Sequence, residues 1–156
     1  NAKVVFIGPC IAKRKEAQRD ECVDYVLTFE ELHPIFRGLG IELEQANPYK
    51  VAYESVCEAH GFAQAGGVAG AVKAYLGPKA NGIKIMQFSD FTKKNIGVLR
   101  AYAKTGKVDA QFIEMMACEG GCVTGPSAHN DPVAGKRQLN QDLLKRTLKY
   151  ENNNQE

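Results

Sequence analysis

Three cysteines have the surroundings expected of metal or cluster ligands. Cys118 and Cys122 are four residues apart and enclose Gly120 and Gly121, while Cys10 directly follows an apolar run and a proline. Glycines let the backbone turn tightly and approach a ligand closely, and thiolates bind iron–sulfur clusters or zinc. Two buried thiols beside a turn would give the same short pattern, so this motif alone leaves both interpretations open.

Other residues allow further alternatives. His129 lies seven residues beyond Cys122 and would complete a zinc site with the three cysteines, but a lone loop histidine is more often solvated. A thiol enzyme is also conceivable, although nothing selects one cysteine as the nucleophile. Lys13 lies one helical turn after Cys10 and would present an ammonium donor beside a thiolate, whereas Glu16 offers it an ordinary exposed ion pair.

The composition excludes several classes of protein. Hydrophobic residues make up 44% of the 156 positions, and 20 basic against 18 acidic side chains leave a net charge of +2. This balance gives no strong field for nucleic acid or anionic lipid, and no apolar run reaches the roughly 18 residues of a membrane span. Five cysteines, an odd number with no visible secretory signal, argue against a disulfide framework. We expect a cytoplasmic protein.

Strand-like and helix-like segments alternate along the chain. Strands are predicted over 3–8, 25–28, 83–88 and 111–116, and helices over 11–19, 29–39, 68–76, 91–104 and 136–149. This alternation predicts an α/β fold with a mixed or parallel sheet flanked by helices, in a single domain over 1–156. Thr28 and Glu31 have the spacing of a capping box at the start of one helix.

The remaining segments are predicted to be a loop and a tail. The stretch 123–135 is rich in Gly, Pro, Asn and Ser and is predicted to be a loop, and 151–156 is predicted to be a frayed tail. Cys10 and Cys118 each follow a predicted strand, so one sheet edge would bring them together.

Two motifs and two connecting segments match a known family. Residues 9–16, P-C-I-A-K-R-K-E, resemble the P-C-x-x-K-x-x-E motif of iron-only hydrogenases, and residues 114–122, E-M-M-A-C-E-G-G-C, resemble their E-x-M-A-C-x-x-G-C motif. Residues 23–32 and 62–68 are similar to the family's D-Y-V-L-T-x-x-E-L and F-G-x-T-G-G-V segments. The order and spacing agree over nearly the whole chain, which resembles the C-terminal part of the H-cluster domain, one lobe of it.

The resemblance implies a cofactor and its protein ligands. The family's H-cluster is a [4Fe–4S] cubane, held by four cysteines and joined to a two-iron unit that carries CO and CN ligands. Cys10, Cys118 and Cys122 match three of those four cysteines, and Cys122 matches the one that bridges to the two-iron unit.

The resemblance also implies residues around the two-iron unit and an activity. Lys13 matches the lysine that hydrogen-bonds a cyanide, and Phe62 and Met116 match residues that line the pocket. The implied reaction is the reversible reduction of protons to hydrogen. The cofactor performs the chemistry, and the protein ligates, buries and tunes it.

Two cysteine motifs of the family are missing from this chain, and their absence indicates which partners it would need. The family's T-S-C-x-P-x-W motif, with the fourth cubane cysteine, is absent, and the chain begins with Asn1 rather than Met. We expect a fragment that needs the upstream half of the same protein, is inactive alone and carries no complete H-cluster. No C-x-x-C-x-x-C run is present, so electrons would come from upstream clusters or a ferredoxin-like partner, and maturation proteins would build the cofactor.

Some positions differ from the catalytic members of the family. Gly8 stands where those members usually have Met, Glu119 stands where Pro is common, and V-T-G-P-S follows Cys122 instead of a glycine run with Gln-Pro. These differences resemble sensory members. The alternative is therefore a non-enzymatic iron–sulfur protein of the same descent, which acts in cluster assembly or in hydrogen or redox sensing.

Overall fold

The fold is built on pairs of parallel strands. The structure is a computed structural model that describes residues 2–47 and 57–153. The chain divides into two compact units, Asn1–Glu54 with Gly125–Asp131, and Ser55–Thr124 with Pro132–Glu156. Within these described ranges, each unit contains one two-stranded parallel sheet with helices beside it. The predicted α/β class with parallel strand pairing is confirmed, although the described strands form two sheets rather than one.

The first unit is built on β1 (Val5–Gly8) and β2 (Tyr25–Thr28), which pair in parallel with Val5 opposite Tyr25. Parallel neighbours need a crossover connection, and here it contains the short helix α1 (Lys13–Ala17). Helix α2 (Phe29–Gly38) follows β2 directly. The prediction for β2 agrees with the structure, whereas β1 and α1 are shorter than predicted.

A capping box at Thr28 begins α2, as the sequence predicts. The Thr28 hydroxyl accepts from the Glu31 backbone N–H at 3.2 Å, and the Glu31 carboxylate accepts from the Thr28 N–H at 2.8 Å. Two donors that would otherwise lack partners at the helix start are thereby satisfied. The Arg14 guanidinium also donates to Glu31, so the same carboxylate joins α1 to α2.

The second unit is larger and helix-rich. Its elements are α3 (Cys57–His60), α4 (Gly67–Leu76), β3 (Ile85–Ser89), α5 (Lys93–Thr105), β4 (Phe112–Met116) and α6 (Pro132–Asn153). Strands β3 and β4 pair in parallel, with Ile85 opposite Phe112 and Ser89 opposite Met116, and α5 forms their crossover. Short 3₁₀ turns at Gly61–Ala63 and Cys122–Thr124 contain two candidate site residues, Phe62 and Cys122.

Helix α6 begins four residues earlier than predicted. It starts at Pro132 rather than at 136, so the predicted loop over 123–135 is wrong at its end. Proline suits the first position of a helix because its missing N–H has no partner there, whereas Gly135 makes this turn look like loop in the sequence. Residues 151–153 continue α6, and 154–156 lie outside the described residues, so the frayed tail over 151–156 stays a prediction.

Apolar surface is poorly covered in both units. Among the described residues, Ala69 is the one buried apolar side chain, at 1% exposure, whereas Leu39 is 68% exposed and Tyr75 is 92% exposed. Parallel sheets are normally covered on both faces, and a two-stranded sheet has too little area to bury its own side chains. No helix in the described ranges is both long and apolar enough to span a membrane.

Acid should weaken the first unit through Glu31. The Thr28 backbone N–H, then the Arg14 side chain and the Thr28 hydroxyl, lower the pKa of Glu31 from 4.5 to about 2. Because the folded pKa is below the unfolded one, this carboxylate stabilises the fold fully above pH 4.5 and loses that effect as the pH falls to about 2. In urea unfolding, we expect the free energy of unfolding to depend less on pH between about 2 and 4.5 for Glu31→Gln than for the wild type.

The neighbouring Glu30 provides the control for this measurement. Glu30→Gln removes an exposed first-turn carboxylate that makes no capping-box bond, so this variant should keep the wild-type pH dependence. A ¹³C NMR titration of the Glu31 carboxyl gives the pKa directly. A midpoint near that of a free glutamate would contradict the assignment.

Candidate metal centre

The cysteine loop, residues 118–122, follows β4 and turns sharply at its two glycines. Gly120 has φ of +83° and Gly121 has φ of +101°, a backbone region that side chains with a Cβ rarely adopt. The Gly121 N–H donates to the Cys118 carbonyl at 3.0 Å and closes the turn. The tight turn predicted from the two glycines is confirmed.

The cysteine loop packs backbone to backbone against the segment that precedes α4. A Cβ added at Gly121 would lie 2.6 Å from the Ala65 nitrogen and from the Gln64 carbonyl carbon. The Ala65 N–H also donates to the Gly120 carbonyl at 3.1 Å. This close approach requires glycine at 121, so the loop is held in position as well as bent.

Glu114 joins β4 to the same segment through a buried carboxylate. This side chain is 6% exposed and accepts from the Gly66 N–H at 2.6 Å and from the Ala69 N–H at 2.8 Å. Gly66 precedes α4 with φ of +88° and has no side chain that can cap the helix, so the carboxylate of another element performs that role. Charge-assisted bonds of this kind are strong because an ionised acceptor faces two N–H donors.

Glu114 is a structural residue for which no role was predicted from the sequence. One signal was available, because an acidic residue at the centre of the apolar strand F-I-E-M-M must find donors if it is buried. Its partners lie far away along the chain, and no local pattern identifies them.

The structure divides the three predicted cysteine ligands between its two units. Cys10 is half-buried after β1 in the first unit, whereas half-buried Cys118 and exposed Cys122 follow β4 in the second. The expectation of one shared sheet edge is therefore wrong, because β1 and β4 belong to different sheets. Within the described residues, no group of three or more Cys, His, Asp or Glu side chains is placed to hold a metal ion. Joint ligation by the three cysteines stays a prediction.

Lys13 lies one turn after Cys10, as its spacing predicts. The Lys13 N–H donates to the Cys10 carbonyl at 3.3 Å. The Lys13 ammonium contacts both Glu16 carboxylate oxygens at 2.7 Å and lies 5.8 Å from the centre of the Phe6 ring. The ion pair predicted as the ordinary role of Lys13 is thus present, and a bond to a cofactor stays a prediction.

Phe62 and Met116 lie in the second unit with the cysteine loop. Phe62 is 48% exposed and lines an apolar groove of about 580 Å³ together with Tyr75 and Leu76. Met116 is the last residue of β4 and is half-buried. His129 contacts the His33 ring at a centroid distance of 5.1 Å within the first unit.

The family profile described as iron only hydrogenase large subunit, C-terminal domain, matches residues 1–126. The chain therefore belongs to this family, the C-terminal domains of the large subunits of iron-only hydrogenases. A solved [FeFe]-hydrogenase is similar in fold, with a TM-score of 0.56 and 19% identity. That structure comes from work on oxygen inactivation that begins with modification and degradation of the H cluster 2Fe subcluster.

The similarity to this hydrogenase covers 91% of the chain and 51% of the hydrogenase chain. The chain thus spans about half the length of the solved protein that it resembles. At this level of identity the likeness establishes the fold, while the family profile establishes membership.

Replacement of Gly121 by alanine should distort the cysteine loop. The new Cβ would run into the backbone of Gln64 and Ala65 and would require a φ that alanine avoids, at a cost of about 3 kcal/mol in unfolding free energy. Gly70→Ala is the matched control, because nothing lies within 4 Å of that Cβ inside α4. This control should stabilise the chain by roughly 0.5–1 kcal/mol. Equal effects of the two changes in urea unfolding would contradict the close approach.

Replacement of Glu114 by glutamine should loosen the start of α4. The amide keeps one acceptor oxygen but turns its NH₂ toward a backbone donor, which should cost about 1–3 kcal/mol. Hydrogen exchange of the Gly66 and Ala69 amides, followed by NMR, should accelerate. Glu119→Gln, an exposed carboxylate in the cysteine loop, should leave both rates unchanged. Unchanged exchange in Glu114→Gln would contradict the assigned role.

Proposed function

We propose that this chain is part of an iron-only hydrogenase that catalyses the reversible reduction of protons to hydrogen on an H-cluster. The observation that carries the proposal is the cysteine loop, in which two thiols flank a glycine turn held against the backbone of Gln64 and Ala65. Thiolates in a tight glycine loop are suitable ligands for an iron–sulfur cluster. Membership of the hydrogenase family supports the same chemistry.

The donor set of the chain fits part of such a cluster. Cys10, Cys118 and Cys122 would supply three thiolate ligands of a [4Fe–4S] cubane, and Cys122 would also bridge to the two-iron unit. The absence of a Cβ at Gly120 and Gly121 allows the tight turn that lies between the two thiols. The bound cluster would supply the electron transfer and the binding of hydrogen, and the chain would ligate and shield it.

Lys13 would act as a donor to a cyanide ligand. Its present partner is Glu16 in an exposed pair three residues apart, an arrangement that contributes about 0.5 kcal/mol or less. A partly desolvated, negatively charged ligand is a stronger acceptor than an exposed carboxylate, so the ammonium would exchange partners at little cost. Phe62 and Met116 would provide the apolar wall around the two-iron unit.

Other proteins and segments are required for this function. The chain spans about half of the solved hydrogenase that it resembles, so the remainder of the full-length protein would supply the fourth cysteine. Electrons would pass through a ferredoxin-like partner, and maturation proteins would insert the two-iron unit. We propose a cytoplasmic location, and we expect the 156-residue chain alone to be inactive and to carry no complete H-cluster.

A sensory or other non-enzymatic role is the second candidate, and the surroundings of Gly8 favour it. A Cβ at this position would lie 2.9 Å from the Phe6 ring, which also lies under the Lys13 ammonium. The methionine usual in catalytic members would therefore displace the ring that contacts Lys13. Glycine instead of methionine at position 8 therefore changes the surroundings of Lys13. This change would alter turnover while all three cysteines stay in place.

An infrared spectrum of the full-length protein, matured under anaerobic conditions, tests the proposal. We expect bands from CO and CN bound to iron, and we expect Cys118→Ala and Cys122→Ala to abolish them because the cluster loses a ligand. Cys22→Ala is the matched control, since this exposed thiol lies in the first unit and belongs to none of the motifs. Its spectrum should be that of the wild type.

The outcomes separate the two candidates. CO and CN bands with hydrogen production support an enzyme, whereas the same bands with very low turnover support a sensor. Iron and sulfide in cubane amounts without these bands would contradict the hydrogenase proposal and assign the protein to the non-enzymatic iron–sulfur class. In that case Lys13 would have no cyanide to bind.

A further inference from the structure

Lys136 of α6 extends its ammonium over the cysteine loop. A Cβ added at Gly120 would lie 2.1 Å from the Lys136 Nζ atom and 2.2 Å from its Cε atom. The end of the lysine therefore occupies the space that any side chain at 120 would need. The cation lies against the peptide backbone between the two cysteines of the loop.

Local structure explains how the lysine reaches this place. Helix α6 starts at Pro132 and packs against the 3₁₀ turn Cys122–Thr124, so its first turns lie beside the loop. Gly135 is buried there, and Lys136 is half-buried, whereas the next residue, Arg137, is exposed.

The ammonium has no opposite charge to neutralise it in the described part of the chain. Lys136 belongs to none of the ion pairs found there, and Glu119, the nearest acid in the cysteine loop, is exposed and does not pair with it. Burying part of a cation without a partner costs free energy. That cost would be offset if an anionic group occupied the loop.

We propose that Lys136 raises the reduction potential of the iron–sulfur cluster held by Cys118 and Cys122. The inference rests on the proposed function, and it adds a residue from outside the segment 1–126 that the family profile matches. In the step concerned, one electron passes from a ferredoxin-like donor to the cubane, no bond is made or broken, and Lys136 keeps its proton. A thiolate-bound cluster becomes more negative on reduction, so a fixed neighbouring cation stabilises the reduced form.

The test is a redox titration of the cubane in the full-length, anaerobically matured protein, followed by electron paramagnetic resonance. For Lys136→Met we expect the ratio of reduced to oxidised cubane at a fixed potential to fall about tenfold, which is about 59 mV for one electron. Lys136→Arg keeps the charge and should titrate close to the wild type. Arg137→Met removes an equal but exposed charge one residue away and should change the ratio much less.

Iron and sulfide analysis of every variant distinguishes the possible failures. Wild-type protein that binds no cluster would overturn both the proposed function and this inference. A cluster that titrates identically in the wild type and in Lys136→Met would overturn only the inference, as would equal shifts in Lys136→Met and Arg137→Met. If Lys136→Met fails to retain its cluster, the neutral and more polar Lys136→Gln replaces it, with the same expected shift and the same contradicting result.

Discussion

The buried carboxylate of Glu114 is the interaction on which the geometry of the cysteine loop depends. Because Glu114 lies on β4, the strand that leads into the loop, its two hydrogen bonds tie that strand to the start of α4. The residues just before α4 form the surface against which Gly121 packs. One charged side chain therefore sets both the direction in which β4 ends and the position of the backbone opposite the loop.

Local patterns in the sequence were enough to predict most elements and the turn of the loop. The Thr28 capping box and the double glycine at 120–121 are physical devices that act over a few residues, so both can be recognised without tertiary information. The start of α6 was missed because Gly135 disfavours a helix in isolation, and packing against the rest of the second unit overrides that preference.

Partnerships between distant segments could not be predicted in the same way. Strand periodicity identifies a strand but does not say which strand pairs with it, so the division into two parallel pairs was not foreseen. Glu114 and Lys136 are ordinary residues of a strand and of a helix until their distant neighbours are known. Cysteine, by contrast, indicates its chemistry through residue type alone, and the three cysteines were for this reason the first candidates.

Lys13 and Lys136 differ in the surroundings of their ammonium groups, and this difference is relevant to the roles proposed for them. Lys13 contacts an exposed glutamate three residues away, and solvent competes for both partners, so the ammonium can be transferred to a better acceptor at little cost. Lys136 is half-buried against the backbone at Gly120, where an ammonium gains little and gives up water. A charge that can change partners fits the role of cyanide donor that we propose for Lys13. A charge held against the loop fits the tuning role that we propose for Lys136.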